Sequence, residues 1–138
     1  MRLARQLLYA LWAGLLATIS VLVTPTLFTL PVVPRPLAGQ IAAELFRRTT
    51  LLSMGIALLL LLIGTGGTER PSRFWVLLPA ALLALSEFAV RPHLELARAA
   101  AGSASAEFAR WHQLATILYL AALIAVVVLL VKALRDPR

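Results

Sequence analysis

From Leu114 to Val131 the chain runs for 18 residues without a single charge. A helix needs about 20 mostly apolar residues to cross the hydrocarbon of a bilayer, so this stretch alone points to lipid as a solvent for the fold. Three further apolar stretches precede it, and prolines, glycines or small groups of arginines separate them. The pattern predicts four membrane spans, over 3–24, 38–64, 73–91 and 111–133. The expected architecture is an all-α integral membrane four-helix bundle, one domain over 1–138, built as two tandem helix pairs.

Composition agrees. Apolar residues make up 61% of the chain and charged residues 14%, against about 45–50% and about 25% in soluble domains. A net charge of +7 raises nucleic acid as a partner. No basic run or basic–aromatic stripe is present to grip phosphates, so nucleic acid is set aside. The 13 Lys and Arg instead sit between the apolar stretches, as charges flanking membrane spans do. Cysteine is absent, which removes disulfides, thiolate metal sites and cysteine nucleophiles. The start, Met1-Arg2-Leu3-Ala4-Arg5, resembles a secretory signal. Its apolar stretch, Leu7–Val23, exceeds the usual ~7–15-residue signal core and meets no Ala-x-Ala site before Pro25, so a retained first span is expected.

The two halves share a pattern. Val23-Thr24-Pro25-Thr26-Leu27 closes the first apolar stretch, and Val90-Arg91-Pro92-His93-Leu94 closes the third. Ala43-Glu44-Leu45 and Ala106-Glu107-Phe108 open the second and fourth. Proline lacks an N–H and clashes with the preceding turn, so Pro25 and Pro92 read as helix ends. Prolines there can also free carbonyls near the membrane surface, as in transporter half-helices.

Four spans put both termini on one side of the bilayer. Seven basic residues fall on that side (Arg2, Arg5, Arg70, Arg73, Lys132, Arg135, Arg138) and six on the other (Arg35, Arg47, Arg48, Arg91, Arg98, Arg110). The bias favours cytoplasmic termini in a bacterial cytoplasmic (inner) membrane. Glu44, Glu87, Glu95, Glu107, His93 and His112 gather on the far side, leaving Glu69 and Asp136 beside the termini.

In lipid, helices associate through close packing and interhelical hydrogen bonds. Ala10, Gly14 and Thr18 recur at four-residue spacing and are expected to form a packing face. Glu87 lies one turn inside the third span. A carboxylate there needs a partner; Arg91 at i+4 is nearest, with Arg47, Arg48 or Arg110 available across the bundle. It reads either as a structural ion pair or as a proton- or cation-handling group. His93 and His112, with Glu87, Glu95, Glu107 or Glu44, offer nitrogen and oxygen ligands for a metal ion, but no metal-motif spacing supports them. His112 is preferred, because Thr116 and Tyr119 follow it at i+4 and i+7. Gly64-Thr65-Gly66-Gly67 lacks a following Lys and reads as an inter-span turn. No catalytic constellation is apparent and no cofactor is predicted.

Leu11-Trp12-Ala13-Gly14, Val23-Thr24-Pro25-Thr26-Leu27-Phe28, Ala38-Gly39-Gln40-Ile41, Leu45-Phe46-Arg47 and Trp111-His112-Gln113-Leu114 together resemble a bacterial family of unknown function related to eukaryotic transmembrane protein 205. That resemblance implies a four-span membrane protein with no assigned reaction. A more distant similarity is to copper-resistance D and HemJ-type membrane proteins, which place Trp-x-Gly in an early span and use intramembrane histidine. For the HemJ type it implies a histidine and a lysine beside haem. This chain departs from that pattern, having no histidine before His93 and Lys132 as its only lysine. The function expected is a non-enzymatic accessory or interaction subunit, whose partners are the bilayer and other membrane proteins or further copies of itself. The alternatives are a small transporter or metal-handling protein using the far-side Glu/His cluster, or a haem or quinone redox protein.

Overall fold

The computed structural model describes residues 2–63 and 70–135, and the side chains from 74 onward in its second part. Gly64-Thr65-Gly66-Gly67, Glu69, Asp136 and Arg138 lie outside the described residues, as do the side chains of Arg70 and Arg73. The described chain forms four helices long and apolar enough to cross a membrane: α1 (Arg2–Thr29), α2 (Arg35–Ile63), α3 (Phe74–Ala101, helical from Arg70) and α4 (Ala106–Arg135). At about 1.5 Å per residue each is some 40–45 Å long, well beyond the ~30 Å of a hydrocarbon core.

α1 packs on α2 and α4, and α3 packs on the same two. The helices thus form a closed up-down ring with α1 and α3 on one diagonal. Trp12, Leu16, Pro79, Leu83 and Val126 fill the centre and are fully buried. Leu7, Leu11, Leu58, Leu62, Ile117 and Ile124 face outward and are exposed. Apolar residues on every face suit a bundle solvated by lipid.

The two prolines do not end their helices. α1 continues through Pro25 to Thr29, and α3 continues through Pro92 to Ala101. Each proline is preceded by a wide, π-type turn, Thr18–Val23 in α1 and Ser86–Val90 in α3. The Thr24 N–H reaches back to the Ile19 carbonyl and the Arg91 N–H to the Ser86 carbonyl, five residues each way. An extra residue in the turn makes room for a ring that would otherwise strike the carbonyl four residues back.

Side chains add further bonds to carbonyls around each proline. Thr24 Oγ1 donates to the Ile19 carbonyl at 2.8 Å and Thr26 Oγ1 to the Leu22 carbonyl at 2.6 Å. In α3 the equivalent contact joins His93 Nδ1 to the Ala89 carbonyl at 2.8 Å. In both halves, the residue after the proline bonds the carbonyl three residues before it.

The true ends lie further on. Leu30, held extended (φ −71°, ψ 119°) ahead of Pro31, stops α1. Gly102, at φ 79°, stops α3 and returns its N–H to the Arg98 carbonyl at 2.9 Å; glycine takes this left-handed conformation without a Cβ penalty. Ser105 Oγ accepts the Phe108 N–H at 3.2 Å and caps α4.

The tandem relation is visible in the core. Tyr9 and Val76, Trp12 and Pro79, and Leu16 and Leu83 are buried pairs, each separated by 67 residues. Ser53 and Tyr119, Ile56 and Ala122, and Leu60 and Val126 are buried pairs separated by 66. The Ala-Glu pairs are 63 residues apart and fall a turn out of this register. Glu107 sits in the first turn of α4, whereas Glu44 lies well inside α2.

The small-residue stripe of α1 lies on the outside of the bundle. Ala10, Gly14 and Thr18 face away from the bundle and are exposed. A Cβ built on Gly14 would meet nothing within 4 Å. Tyr9, Trp12, Ala13 and Leu16 form the inward face instead, because two large aromatic rings carry more buried surface than alanine and glycine can.

Candidate functional site

The wide turn of α3 carries Glu87 into the junction between α3 and α2. Its side chain is 12% exposed. Arg91 Nη1 donates to Glu87 Oε1 at 2.6 Å, and Arg91 Nε donates to Glu95 Oε1 at 2.8 Å. Arg47 of α2 brings its Nε to 4.0 Å from the same Glu87 oxygen. The result is a chain of alternating charge, Arg47–Glu87–Arg91–Glu95, that ties α2 to α3. Arg48 is not part of it: its Nε donates to Glu44 Oε1 at 2.8 Å on the exposed face of α2.

The histidines stand on a separate aromatic ladder between α3 and α4. His93 stacks on Trp111 with centroids 4.5 Å apart and planes at 27°. Phe108 stacks on His112 at 5.8 Å and 9°. The Arg98 guanidinium covers Phe108, with Cζ 5.1 Å from the ring centroid. A carbonyl only accepts, so His93 Nδ1 carries the proton in its bond to Ala89, and the lone pair of the neutral ring is on Nε2.

His112 is exposed, as is Thr116, whose hydroxyl donates to the carbonyl of His112 itself at 2.9 Å. Tyr119 alone of that series points inward. Its hydroxyl donates to the Leu16 carbonyl of α1 at 3.0 Å, and its ring meets Phe46 edge-on at 4.9 Å across the other diagonal. Among the described residues no three of His, Asp or Glu come together as a metal-ligand group.

Beside the ladder, the first turns of α4 border an open groove of about 580 Å³, lined by Ala106, Glu107, Arg110, Trp111 and Leu114. At the opposite end of the bundle, Gln6 Nε2 donates to the Ala133 carbonyl at 2.9 Å and Lys132 Nζ lies 5.5 Å from the Trp75 ring centroid. These contacts close the ends of α1, α3 and α4 near the termini.

Sequence reasoning brought Glu87 together with Arg91 and offered Arg47, Arg48 or Arg110 across the bundle, of which Arg47 comes near it. It missed the Arg91–Glu95 link, which i,i+4 spacing alone would have found. It also missed the polar centre. Trp12 Nε1 and Ser53 Oγ are buried with no hydrogen-bond partner, a feature that no local pattern encodes.

Four helices long and apolar enough to cross a membrane, with no strand among the described residues, define a polytopic, all-helical membrane protein. The chain belongs to the family described as Domain of unknown function (DUF4149), whose model matches residues 7–103. Comparison with the curated proteins and with the solved structures finds no match.

Proposed function

We propose that the protein is a non-enzymatic membrane subunit that works by associating with other membrane proteins or with further copies of itself. The observation that carries this reading is the closure of Glu87 between Arg91 and Arg47. A carboxylate that moves protons or cations needs an open side and a partner it can leave. This one is engaged by two guanidiniums and bridges two helices, which is the work of a structural tie.

The outward placement of Ala10, Gly14 and Thr18 supports association. In lipid, a small-residue strip gains little from contact with acyl chains but lets a second helix approach closely. The bilayer would be the bacterial cytoplasmic membrane with cytoplasmic termini, on the seven-to-six basic bias. Kinship with the relatives of transmembrane protein 205 rests on the Leu11–Gly14 and Val23–Phe28 motifs, both inside the matched family region.

Co-isolation from native membranes tests the reading. Gly14 is exposed and a Cβ built there meets nothing within 4 Å, so Gly14→Ile is expected to keep the wild-type thermal midpoint while losing associated protein or the dimer band. An unchanged set of associated proteins and unchanged oligomer size in Gly14→Ile would overturn the assignment.

A second reading has its own observation. The free Nε2 of His93 is available as a ligand or base, which favours a metal-handling role for the far end. Stoichiometric metal in purified protein, lost in His93→Gln, would establish it over the first.

A further inference from the structure

The far end of the bundle satisfies most of its charges internally. Glu44 is held by Arg48, Glu87 by Arg91 with Arg47 near, and Glu95 by Arg91, while Arg98 covers Phe108. Glu107 and Arg110 stand apart. Both are exposed, both line the 580 Å³ groove at the start of α4, and neither takes part in any of these contacts. They lie three residues apart on one helix face and still do not pair with each other. An anion and a cation are therefore left side by side, without a protein partner among the described residues, at the mouth of an open groove along one face of α4.

Position narrows what they could hold. Leu114, which begins the uncharged run of α4, lines the groove on its membrane side, and Trp111 lies between it and the charges. A tryptophan at that junction marks the headgroup layer. The groove is thus charged above and apolar below, with both signs of charge in its upper part.

We propose that this groove binds a zwitterionic phospholipid with a primary ammonium, of the phosphatidylethanolamine type. Arg110 takes the phosphate, Glu107 accepts hydrogen bonds from the ammonium, and Leu114 meets the start of the acyl chain. Guanidinium–phosphate and ammonium–carboxylate contacts are both charge-assisted and strong at a partly dehydrated surface. A phosphatidylcholine headgroup has no N–H to give Glu107, and a phosphatidylglycerol headgroup has no cation. A soluble zwitterion of the same chemistry would leave the Leu114 side of the groove uncovered.

The test is lipid retention by the full-length protein in detergent, read by native mass spectrometry against equimolar phosphatidylethanolamine, phosphatidylcholine and phosphatidylglycerol. Wild type is expected to retain the first in preference. Glu107→Gln is expected to remove that preference, lowering phosphatidylethanolamine retention about tenfold, the effect of losing one charge-assisted bond. Arg110→Gln is expected to lower retention of all three lipids by about the same factor. Arg35→Gln, an exposed far-end arginine outside the groove, is expected to change nothing. Equal retention of the three lipids by wild type would overturn the proposal, as would wild-type retention in the Glu107→Gln/Arg110→Gln double variant. Displacement of the lipid by equimolar glycerophosphoethanolamine would also overturn it, by making the site one for a soluble ligand. If a variant does not fold, the wild-type preference decides.

Discussion

The Tyr119 hydroxyl and the Leu16 carbonyl, 103 residues apart in the chain, are joined by a buried hydrogen bond of 3.0 Å. Leu16 lies just before the wide turn of α1, and the same carbonyl also receives the Ser20 hydroxyl at 2.9 Å. Tyr119 therefore anchors α4 to the point where α1 departs from regular geometry. Tyr119→Phe removes only the donor and is expected to lower stability by about 1 kcal/mol, in line with other interhelical bonds in membranes. Thermal unfolding in detergent measures this. An unchanged midpoint would show that the ring alone holds the contact.

The charged chain from Arg47 to Glu95 makes an ordered prediction. Glu87 is largely shielded and serves two arginines, whereas the Glu95 side chain is 57% exposed and serves one. Glu87→Gln is expected to destabilise by about 1–3 kcal/mol, because it leaves Arg91 half-satisfied in a shielded place. Glu95→Gln is expected to fall below about 1 kcal/mol, as exposed pairs do. Unfolding of the two variants side by side checks the order, and a larger loss from Glu95→Gln would contradict it.

The spans were legible because uncharged runs of such length have one physical solution. Their ends were not, and the reason is specific. Pro25 and Pro92 carry the strongest local stop signal, yet a wide turn upstream absorbs each ring and the helix goes on. Thr24, Thr26 and His93 reach back to carbonyls around these turns, a geometry that residue identity permits but does not dictate. Glu87 with Arg91 was legible through i,i+4 spacing. The contribution of Arg47 is a matter of which helices are neighbours, and of their relative rotation. Ala10, Gly14 and Thr18 read as a packing face and lie on the outside of the bundle: small-residue spacing marks a contact surface without saying whose.

The accommodation of the prolines is itself testable. If Pro25 ended α1, Pro25→Ala would let the helix grow and helical ellipticity would rise. The helix already continues to Thr29, so Pro25→Ala is expected to leave ellipticity unchanged, and Pro92→Ala likewise. Circular dichroism on the two variants distinguishes these outcomes, and a gain in helix content would restore the prolines as terminators.

Ser53 supplies a prediction of opposite sign. It is fully buried, and its hydroxyl makes no hydrogen bond, even to its own helix. A buried hydroxyl without a partner carries a desolvation penalty of roughly 1–3 kcal/mol that nothing offsets. Ser53→Ala deletes the polar atom and leaves a void of about one oxygen, so it is expected to raise the thermal midpoint or leave it level. A clear drop would mean that the hydroxyl has a partner in the folded protein. The indole N–H of Trp12, equally buried and equally unpartnered, would then be the first group to examine, through Trp12→Phe in the Ser53→Ala background. Coupling between the two substitutions would place both on one shared contact, and simple additivity would keep them apart.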